Sequence, residues 1–271
     1  MKYYIKKLRF QELGSPSTEG KRARGRYLLI SKKTEGFFPP LSKTQFNDAV
    51  LIPIVKENSD EKIYCTFKYH NSAFHPLKQL KRKHNEYRLY LNQKIDPDKS
   101  FFHPEDIIVF NRLVTEDLIP VFELFLIKKG ELHYDFLLEI INENDARGGH
   151  VLYGGMLPFL SEKTIKAIDN LKTVIPDEVK KDVSEIQNSI TEEDISDLEQ
   201  TKGANLFNSV SFRDFVLLGY QNKCAITSES IIYEKLVNLE AAHIKPKSHT
   251  GSFLPCNGIA MSRDMHWAFD I

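Results

Sequence analysis

The chain has 271 residues, of which 41% are hydrophobic and 27% are charged. This composition is ordinary for a water-soluble globular protein of one or two domains, and no apolar run approaches the roughly 18 residues of a membrane span. The three cysteines, Cys65, Cys224 and Cys256, are widely spaced without a CxxC pair, which argues against a disulfide framework or a structural zinc site. We expect a cytoplasmic protein with reduced, mostly buried thiols, because the first residues lack a signal peptide's apolar stretch.

The formal net charge of zero conceals an uneven distribution of charge along the chain. Residues 1–100 carry 21 Lys and Arg against 10 Asp and Glu, whereas residues 161–200 carry 5 against 11. Clustered positive charge is what attracts a phosphate backbone. A polyanionic partner is therefore compatible with the neutral total, and the N-terminal part is where it would bind.

Up to about residue 155 the chain has the pattern of a β-rich domain. Short segments rich in β-branched and aromatic residues are separated by Gly, Pro, Asn and Asp, which predicts strands within residues 26–31, 49–55, 62–70, 87–91, 106–110 and 119–127. Pro53 predicts that its segment is an edge or bulged strand, because proline cannot donate to a ladder. Six such segments at this spacing indicate a barrel or sandwich.

From about residue 161 the sequence becomes polar and acidic, and short helices are predicted around Pro176. The stretch TEEDISDLEQ carries five acids and no base, which is typical of a solvated linker. A compact unit resumes at about residue 206, where the pattern predicts a helix, a tight turn, a strand ending at His243, a short strand in NGIAM and a last helix. Ser262 is the predicted N-cap of that helix.

Four residues near the C-terminal end have spacings that suit metal-assisted chemistry. His243 ends a predicted strand, and Asn257 follows fourteen residues later in a loop. His266 and Asp270 are four residues apart and therefore share one face of the last predicted helix. Together they can place an imidazole beside a hydrated metal ion.

The segments CAITSES, LEAAHIKP, NGIAMS and DMHWAFD, which contain these residues, resemble the HNH endonuclease family with its ββα-metal fold. The resemblance implies that a neutral His243 acts as general base in phosphodiester hydrolysis. It places Asn257 in the catalytic group, either steadying the loop that bears His243 or touching the metal ion indirectly. It implies His266 and Asp270 as ligands of one divalent metal ion. Lys245 is expected near the phosphates of the DNA.

The implied metal ion is Mg²⁺, with Mn²⁺, Ni²⁺ or Zn²⁺ as alternatives, and it would polarise the scissile phosphate and stabilise the leaving oxygen. Many family members carry an Asp or His directly before the catalytic histidine, where this chain has Ala242. The AAHI form resembles a known branch of the family, and Glu240, on the same strand face, is a secondary candidate for the missing ligand. With the sequence ending at Ile271, we expect the short last helix to depend on packing.

Two basic segments of the N-terminal half combine cations with residues that can read bases. GKRARGRY places four cations beside glycines that would let a loop lie close to DNA, and LKRKHNEYR adds Asn85 and Glu86. Arg can grip guanine, Asn can pair with adenine, and Glu can accept from the cytosine amino group. With YYIKKL, FFPPLS and IYCTFKYHNSAF, these segments resemble the N-terminal DNA-recognising pseudobarrel of EcoRII-type restriction endonucleases. The resemblance implies two DNA-gripping arms, which carry Lys21, Arg22 and Arg24, and Arg82, Glu86, Tyr87 and Arg88.

These expectations combine into an α+β protein of two domains. Residues 1–155 form a β-rich DNA-binding pseudobarrel, 156–205 a polar and acidic helical linker, and 206–271 the nuclease unit. The implied function is site-specific cleavage of double-stranded DNA by a type II restriction enzyme, with a cognate DNA methyltransferase as functional partner and no membrane partner. Because one HNH unit cuts one strand, we expect a homodimer on DNA, with a monomer that nicks the two strands in sequence as the alternative.

Two alternative functions remain open from the sequence alone. The first is a nuclease that depends on DNA modification, although no clear aromatic cage for a flipped base is visible. The second is a non-catalytic, sequence-specific DNA-binding protein with a decayed HNH unit, and its support comes from Ala242 and from the end of the sequence at Ile271.

Overall fold

The structure is a computed structural model. It describes residues 2–14, 26–34, 36–44, 47–71, 85–114, 120–145, 147–160, 171–181, 207, 209–233 and 236–269. Within these ranges the protein is α+β, with a large curled β-sheet in the N-terminal region and a small unit of helices and a hairpin near the C-terminus. No helix in these ranges has the length and apolar character that crossing a membrane requires.

Nine strands of the described chain form the large sheet. They are β1 Tyr3–Lys7, β2 Tyr27–Ile30, β3 Ala49–Lys56, β4 Glu61–Asn71, β5 Asn85–Tyr90, β6 Ile107–Val114, β7 Pro120–Ile127, β8 His150–Tyr153 and β9 Lys172–Val174. Their order is β2-β5-β4-β3-β7-β6-β1-β8, and β9 pairs with β4. The β3–β7 and β4–β9 pairs are parallel, whereas the other neighbours are antiparallel.

One face of the sheet encloses an aromatic core. Phe38 packs there against Phe67 and Phe122, with ring centroids 5.2 and 5.0 Å apart. On β4, Cys65, Phe67 and Tyr69 point into this core at every second position, as the alternation of the sequence predicts. Burying so many aromatic rings on one face fixes the register of the strands.

A helix covers part of the opposite face of the sheet. Helix α1, Tyr134–Asp145, buries Leu137 and Ile141 at helical spacing against Ile5 and Val109 of β1 and β6. The sequence pattern predicts a β-rich region up to about residue 155, and α1 is a helix within it that the pattern did not predict.

The C-terminal unit contains two α-helices and four strands with described bounds. They are α2 Ser209–Gly219, β10 Ile232–Tyr233, β11 Leu236–Val237, β12 Leu239–His243, β13 Gly258–Ser262 and α3 Arg263–Phe269. A third apolar cluster joins this unit to the outer face of β3 and β4, where Leu51 and Tyr64 pack with Phe207 and Leu254. The C-terminal unit is therefore seated on the sheet.

The six strands predicted between residues 26 and 127 are confirmed as β2 to β7. The prediction for Pro53 was wrong, because β3 lies inside the sheet between β4 and β7. Its pairing with β7 begins only at Ile54, so the proline precedes that ladder. In the polar region, residues 177–181 are helical directly after Pro176, as the sequence predicts, whereas β9 just before it is a strand that the sequence did not predict. The pseudobarrel and the domain boundaries stay predictions.

Candidate functional site

The C-terminal hairpin determines where the candidate catalytic histidine lies. Strands β12 and β13 are antiparallel, which brings His243 opposite Gly258 and Leu239 opposite Ser262. The Ser262 hydroxyl accepts the backbone N–H of Met265 at 3.4 Å, the contact expected of an N-cap at the start of α3. The predicted order of strand, loop, strand and helix is confirmed.

The imidazole of His243 is packed between aromatic rings. It stacks on Phe212 of α2 with ring centroids 4.2 Å apart and planes 20° apart, and Phe253 meets it nearly edge-on at 5.4 Å. Its Nε2 atom is buried and has no hydrogen-bond partner in the described part of the chain. Burial lowers the pKa of His243, and the neighbouring Lys247 and His266 lower it further. The ring therefore stays neutral, and able to accept a proton, to a lower pH than an ordinary histidine.

Asn257 is buried and forms hydrogen bonds with the loop that follows β12. Its Oδ1 accepts the backbone N–H of Lys245 at 2.8 Å, and its Nδ2 donates to the carbonyl oxygens of Lys245 and Ser252 at 3.1 and 3.0 Å. Its own carbonyl oxygen accepts the N–H of Ile244, also at 2.8 Å. These bonds hold the chain directly after His243. These contacts fit the loop-steadying role that the resemblance implies for Asn257, which stays a prediction.

A carboxylate and a histidine meet on the other side of the hairpin. Glu240 of β12 lies 2.7 Å from Nδ1 of His266, and its second oxygen accepts from Nε of Arg263 at 3.0 Å. A carboxylate hydrogen-bonded to one ring nitrogen fixes the orientation of the imidazole, an arrangement that is common at metal-binding histidines. The sequence ranked Glu240 as a secondary candidate, because strand spacing alone does not reveal this contact with α3.

Glu240 and His266 are the described residues that best suit a metal ion. The described residues contain no cluster of three or more His, Cys, Asp and Glu side chains arranged to hold one. Asp270, the second predicted ligand, lies outside the described residues. A carboxylate and an imidazole suit divalent cations, which commonly complete their coordination with water. The pair therefore fits as part of a metal site.

Residues 224–271 match the HNH endonuclease family. The matched segment, which we call the HNH unit, contains β10 to β13 and α3 and therefore includes His243, Asn257 and His266, whereas α2 with Phe212 precedes it. The match indicates a nuclease, with DNA as its substrate. No curated protein gives a significant match to the chain.

Cys224, the first residue of the HNH unit, is buried and helps to join its turn to β13. Its N–H bonds to the carbonyl oxygen of Glu229 at 2.9 Å, and the next N–H, of Ala225, bonds to that of Ala260 at 2.8 Å. Burial raises the pKa of the Cys224 thiol, but hydrogen bonds from backbone groups such as Thr227 outweigh this effect and lower the pKa to about 7. Cys65 is also buried and Cys256 is exposed, and all three thiols are free.

In the N-terminal region, the described DNA-contact candidates lie on β5. Glu86 and Arg88 point to the outer face, where the Arg88 guanidinium is hydrogen-bonded to Glu86 and lies 4.4 Å from the centre of the Tyr27 ring. Tyr87 points the other way and is buried against Phe67 and Tyr69. Strand alternation therefore places the Tyr87 ring in the core, which speaks against the expected DNA contact of this residue, and DNA contact by Glu86 and Arg88 stays a prediction.

Several predicted site residues lie outside the described residues. These are Lys21, Arg22, Arg24, Arg82 and Asp270. Of the described ones, the structure brings His243, Asn257 and His266 into one unit, and Lys245 is in the loop that Asn257 contacts.

Proposed function

We propose that the chain is a site-specific DNA endonuclease of the restriction type, which grips double-stranded DNA with its curled sheet and hydrolyses it at the HNH unit. His243 carries the proposal. It stands at the end of β12 inside the segment that matches the HNH family, and its imidazole is held neutral between aromatic rings. A neutral imidazole in a nuclease-like hairpin is the group needed to activate water.

In this proposal His243 takes the proton from the water that attacks the phosphorus. We assign this role to Nδ1, because Nε2 faces the protein interior. Asn257 keeps the following loop, including Lys245, at a fixed place, so that a cation stays near the phosphates. The general base contributes about 10²- to 10⁴-fold to the rate of such a reaction.

Glu240, His266 and Asp270 are the residues that would hold the divalent metal ion. Such an ion, when bound, stabilises negative charge on the phosphate and on the leaving oxygen. Glu240 accepts a hydrogen bond at Nδ1 of His266, which is how a neighbouring carboxylate commonly orients a metal-binding histidine.

Cleavage of plasmid DNA tests the proposal most directly. The protein should convert supercoiled DNA to discrete fragments with Mg²⁺ or Mn²⁺ and should leave it intact with EDTA. His243→Ala should slow cleavage by at least about 10²-fold. His249→Ala, an exposed histidine in the same region, is the matched control and should cut normally. Cutting that survives His243→Ala would refute the role given to this residue.

The outer face of β2, β5 and β4 is where we propose that the sheet contacts DNA. Arg88 faces Leu29 on β2 and Lys68 on β4, and Tyr27 and Tyr90 pack together at a ring distance of 5.7 Å beside it. The Arg88–Glu86 pair offers a donor for guanine and an acceptor for the cytosine amino group. Lys21, Arg22, Arg24 and Arg82, which lie outside the described residues, are further proposed DNA contacts.

A homodimer on DNA and a cognate methyltransferase complete the proposal. Each HNH unit cuts one strand, so a double-strand break requires two of them, and host DNA must be protected at the same sites. Sedimentation with and without a cleaved duplex tests the dimer. Methylation of the recognised site should block cleavage.

The same measurements separate the two other functions. Cleavage of methylated DNA only would identify a modification-dependent nuclease. Shifted duplexes in a gel, without cleavage under any metal condition, would identify a DNA-binding protein with an inactive HNH unit. The structure favours the active form, because Glu240 supplies a carboxylate on the strand where Ala242 lacks one.

A further inference from the structure

Helix α2 precedes the HNH unit and lies between that unit and the large sheet. Asp214 and Phe215 face the sheet, whereas Phe212 and Val216, one turn apart, face the hairpin. The helix therefore has contacts with the two parts of the molecule on two different faces.

The sheet-facing side of α2 is anchored by a buried hydrogen-bonded ion pair. Oδ2 of Asp214 accepts from Nζ of Lys62 and from the hydroxyl of Tyr64, both at 2.8 Å, and from the hydroxyl of Thr173 at 3.2 Å. Lys62 and Thr173 are partners in the β4–β9 ladder, so the donors stand side by side on the sheet. Lys62, Tyr64 and Asp214 are all buried. Buried charged groups with this many partners define one position for the helix.

The opposite side of α2 rests directly on the hairpin at the level of His243. Gly258, the ladder partner of His243, has no side chain, and a Cβ there would lie 2.2 Å from Cγ2 of Val216 and 2.9 Å from the Phe212 ring. This close approach brings the Phe212 ring flat onto the imidazole. At Nε2 the imidazole has no hydrogen-bond partner among the described residues, so packing orients the ring there.

We propose that α2 is the element by which the curled sheet holds the candidate base in place, with Phe212 as a positioning residue for His243 and Asp214 as its anchor. The proposal rests on the proposed function only in taking His243 as the base. Many catalytic histidines are oriented by a hydrogen-bonded partner at the second ring nitrogen. In this protein the Phe212 ring, carried on the anchored helix α2, orients the imidazole of His243 instead of a hydrogen-bond partner. The charged and titratable groups that act on the imidazole are Lys247 and His266.

The first test replaces Phe212 and follows the imidazole of His243 by NMR across a pH titration. Phe212→Ala should raise the pKa of His243, because burial is the main cause of its lowering. The change in chemical shift that the stacked Phe212 ring causes at the imidazole protons should also be lost. Phe212→Leu, which keeps the site apolar, should keep most of the lowered pKa but lose the ring shift. An unchanged titration and unchanged shifts in both variants would overturn the proposal.

The same variants have a second readout in the pH profile of cleavage. Cleavage requires the neutral imidazole, so the acidic limb of kcat/KM should move to higher pH in Phe212→Ala and less in Phe212→Leu. The NMR titration needs no activity. A wild-type protein that does not cut but shows the expected titrations would refute the proposed function and leave the positioning role of Phe212 supported.

The second test removes the anchor at a distance from the histidine. Asp214→Asn should perturb the His243 resonances and lower kcat for plasmid cleavage several-fold, while KM for DNA stays unchanged. Asp177→Asn is the matched control, because this carboxylate is exposed and pairs only locally with Lys180 among described residues. If Asp214→Asn lowers the unfolding temperature but leaves both the resonances and kcat as in the control, the anchor is purely structural and the coupling is refuted.

Discussion

The curled sheet and the HNH unit differ in how each obtains a core. The sheet buries its own aromatic cluster, in which Phe38 alone contacts several other rings. The buried cluster at the hairpin is small, and its members are Phe212, Val216, Leu217, Cys224, Leu239 and Ala260. The first three belong to α2, which precedes the segment that matches the family. A catalytic unit this small depends on a neighbouring helix for its interior, and that helix is anchored on the sheet.

The largest effect should follow from separating the HNH unit from α2. Residues 224–271 expressed alone should be unfolded, because half of the cluster around the hairpin is missing. Narrow dispersion of amide NMR signals and the absence of a thermal transition would show this. The full chain is the control. A cooperative unfolding transition in the isolated segment would contradict the inference that the HNH unit depends on α2 for its core.

A single substitution in the core of the sheet should have the next largest effect on stability. Phe38→Ala removes a ring that packs between Phe67 and Phe122 and should lower the free energy of unfolding by about 3–5 kcal/mol. Denaturant titration measures the loss, and Phe38→Leu should lose less. Equal stability of wild type and Phe38→Ala would mean that the aromatic cluster does not hold the sheet together.

Adding one methyl group between α2 and the hairpin should have a smaller effect on stability and a selective effect on activity. Gly258→Ala places a Cβ against Val216 and Phe212 and should cost about 1–3 kcal/mol through overpacking. Cleavage should fall while DNA affinity is kept, since the sheet is untouched. Gly154→Ala is the control, because a Cβ there meets nothing within 4 Å. A parallel loss of DNA affinity would show that DNA binding by the sheet and cleavage at the HNH unit cannot be changed independently.

The smallest expected effect on stability comes from the outer face of the sheet. Arg88→Ala should weaken DNA binding and reduce the slope of log affinity against log salt by about one if Arg88 contacts a phosphate. If it reads a base, discrimination at one position should fall by about 1–3 kcal/mol instead. Lys172→Ala, an exposed cation on β9, is the control. Unchanged affinity, salt slope and specificity would remove this face from the proposed interface.

Sequence patterns predicted the features that depend on local periodicity or fixed spacing. Alternation identified β2 to β7, and spacing identified His243, Asn257 and His266 as residues of one hairpin and helix. Strand β1 was not identified as a strand. Its Lys6 is buried, burial lowers the pKa of this lysine, and its Nζ lies 3.0 Å from Glu12.

The features that sequence patterns missed depend on contacts across long separations. Asp214 and Tyr64 are 150 residues apart, and neither has an unusual neighbourhood in the sequence. Phe212 reads as an ordinary apolar residue of an amphipathic helix until β12 is placed beneath it. The Glu240–His266 contact depends on the angle between α3 and the hairpin, which no spacing rule supplies.

The seat of α2 on the sheet also bears on where a cut would fall. If the outer face of β5 contacts the bases and His243 performs the cut, the span between them is set by Asp214, Tyr64 and Lys62 rather than by a tether. Such an enzyme would cut every copy of its target at the same number of base pairs from the bases it reads. An HNH unit on a loose connection would leave scattered ends, and sequencing the ends of cleaved DNA would distinguish the two.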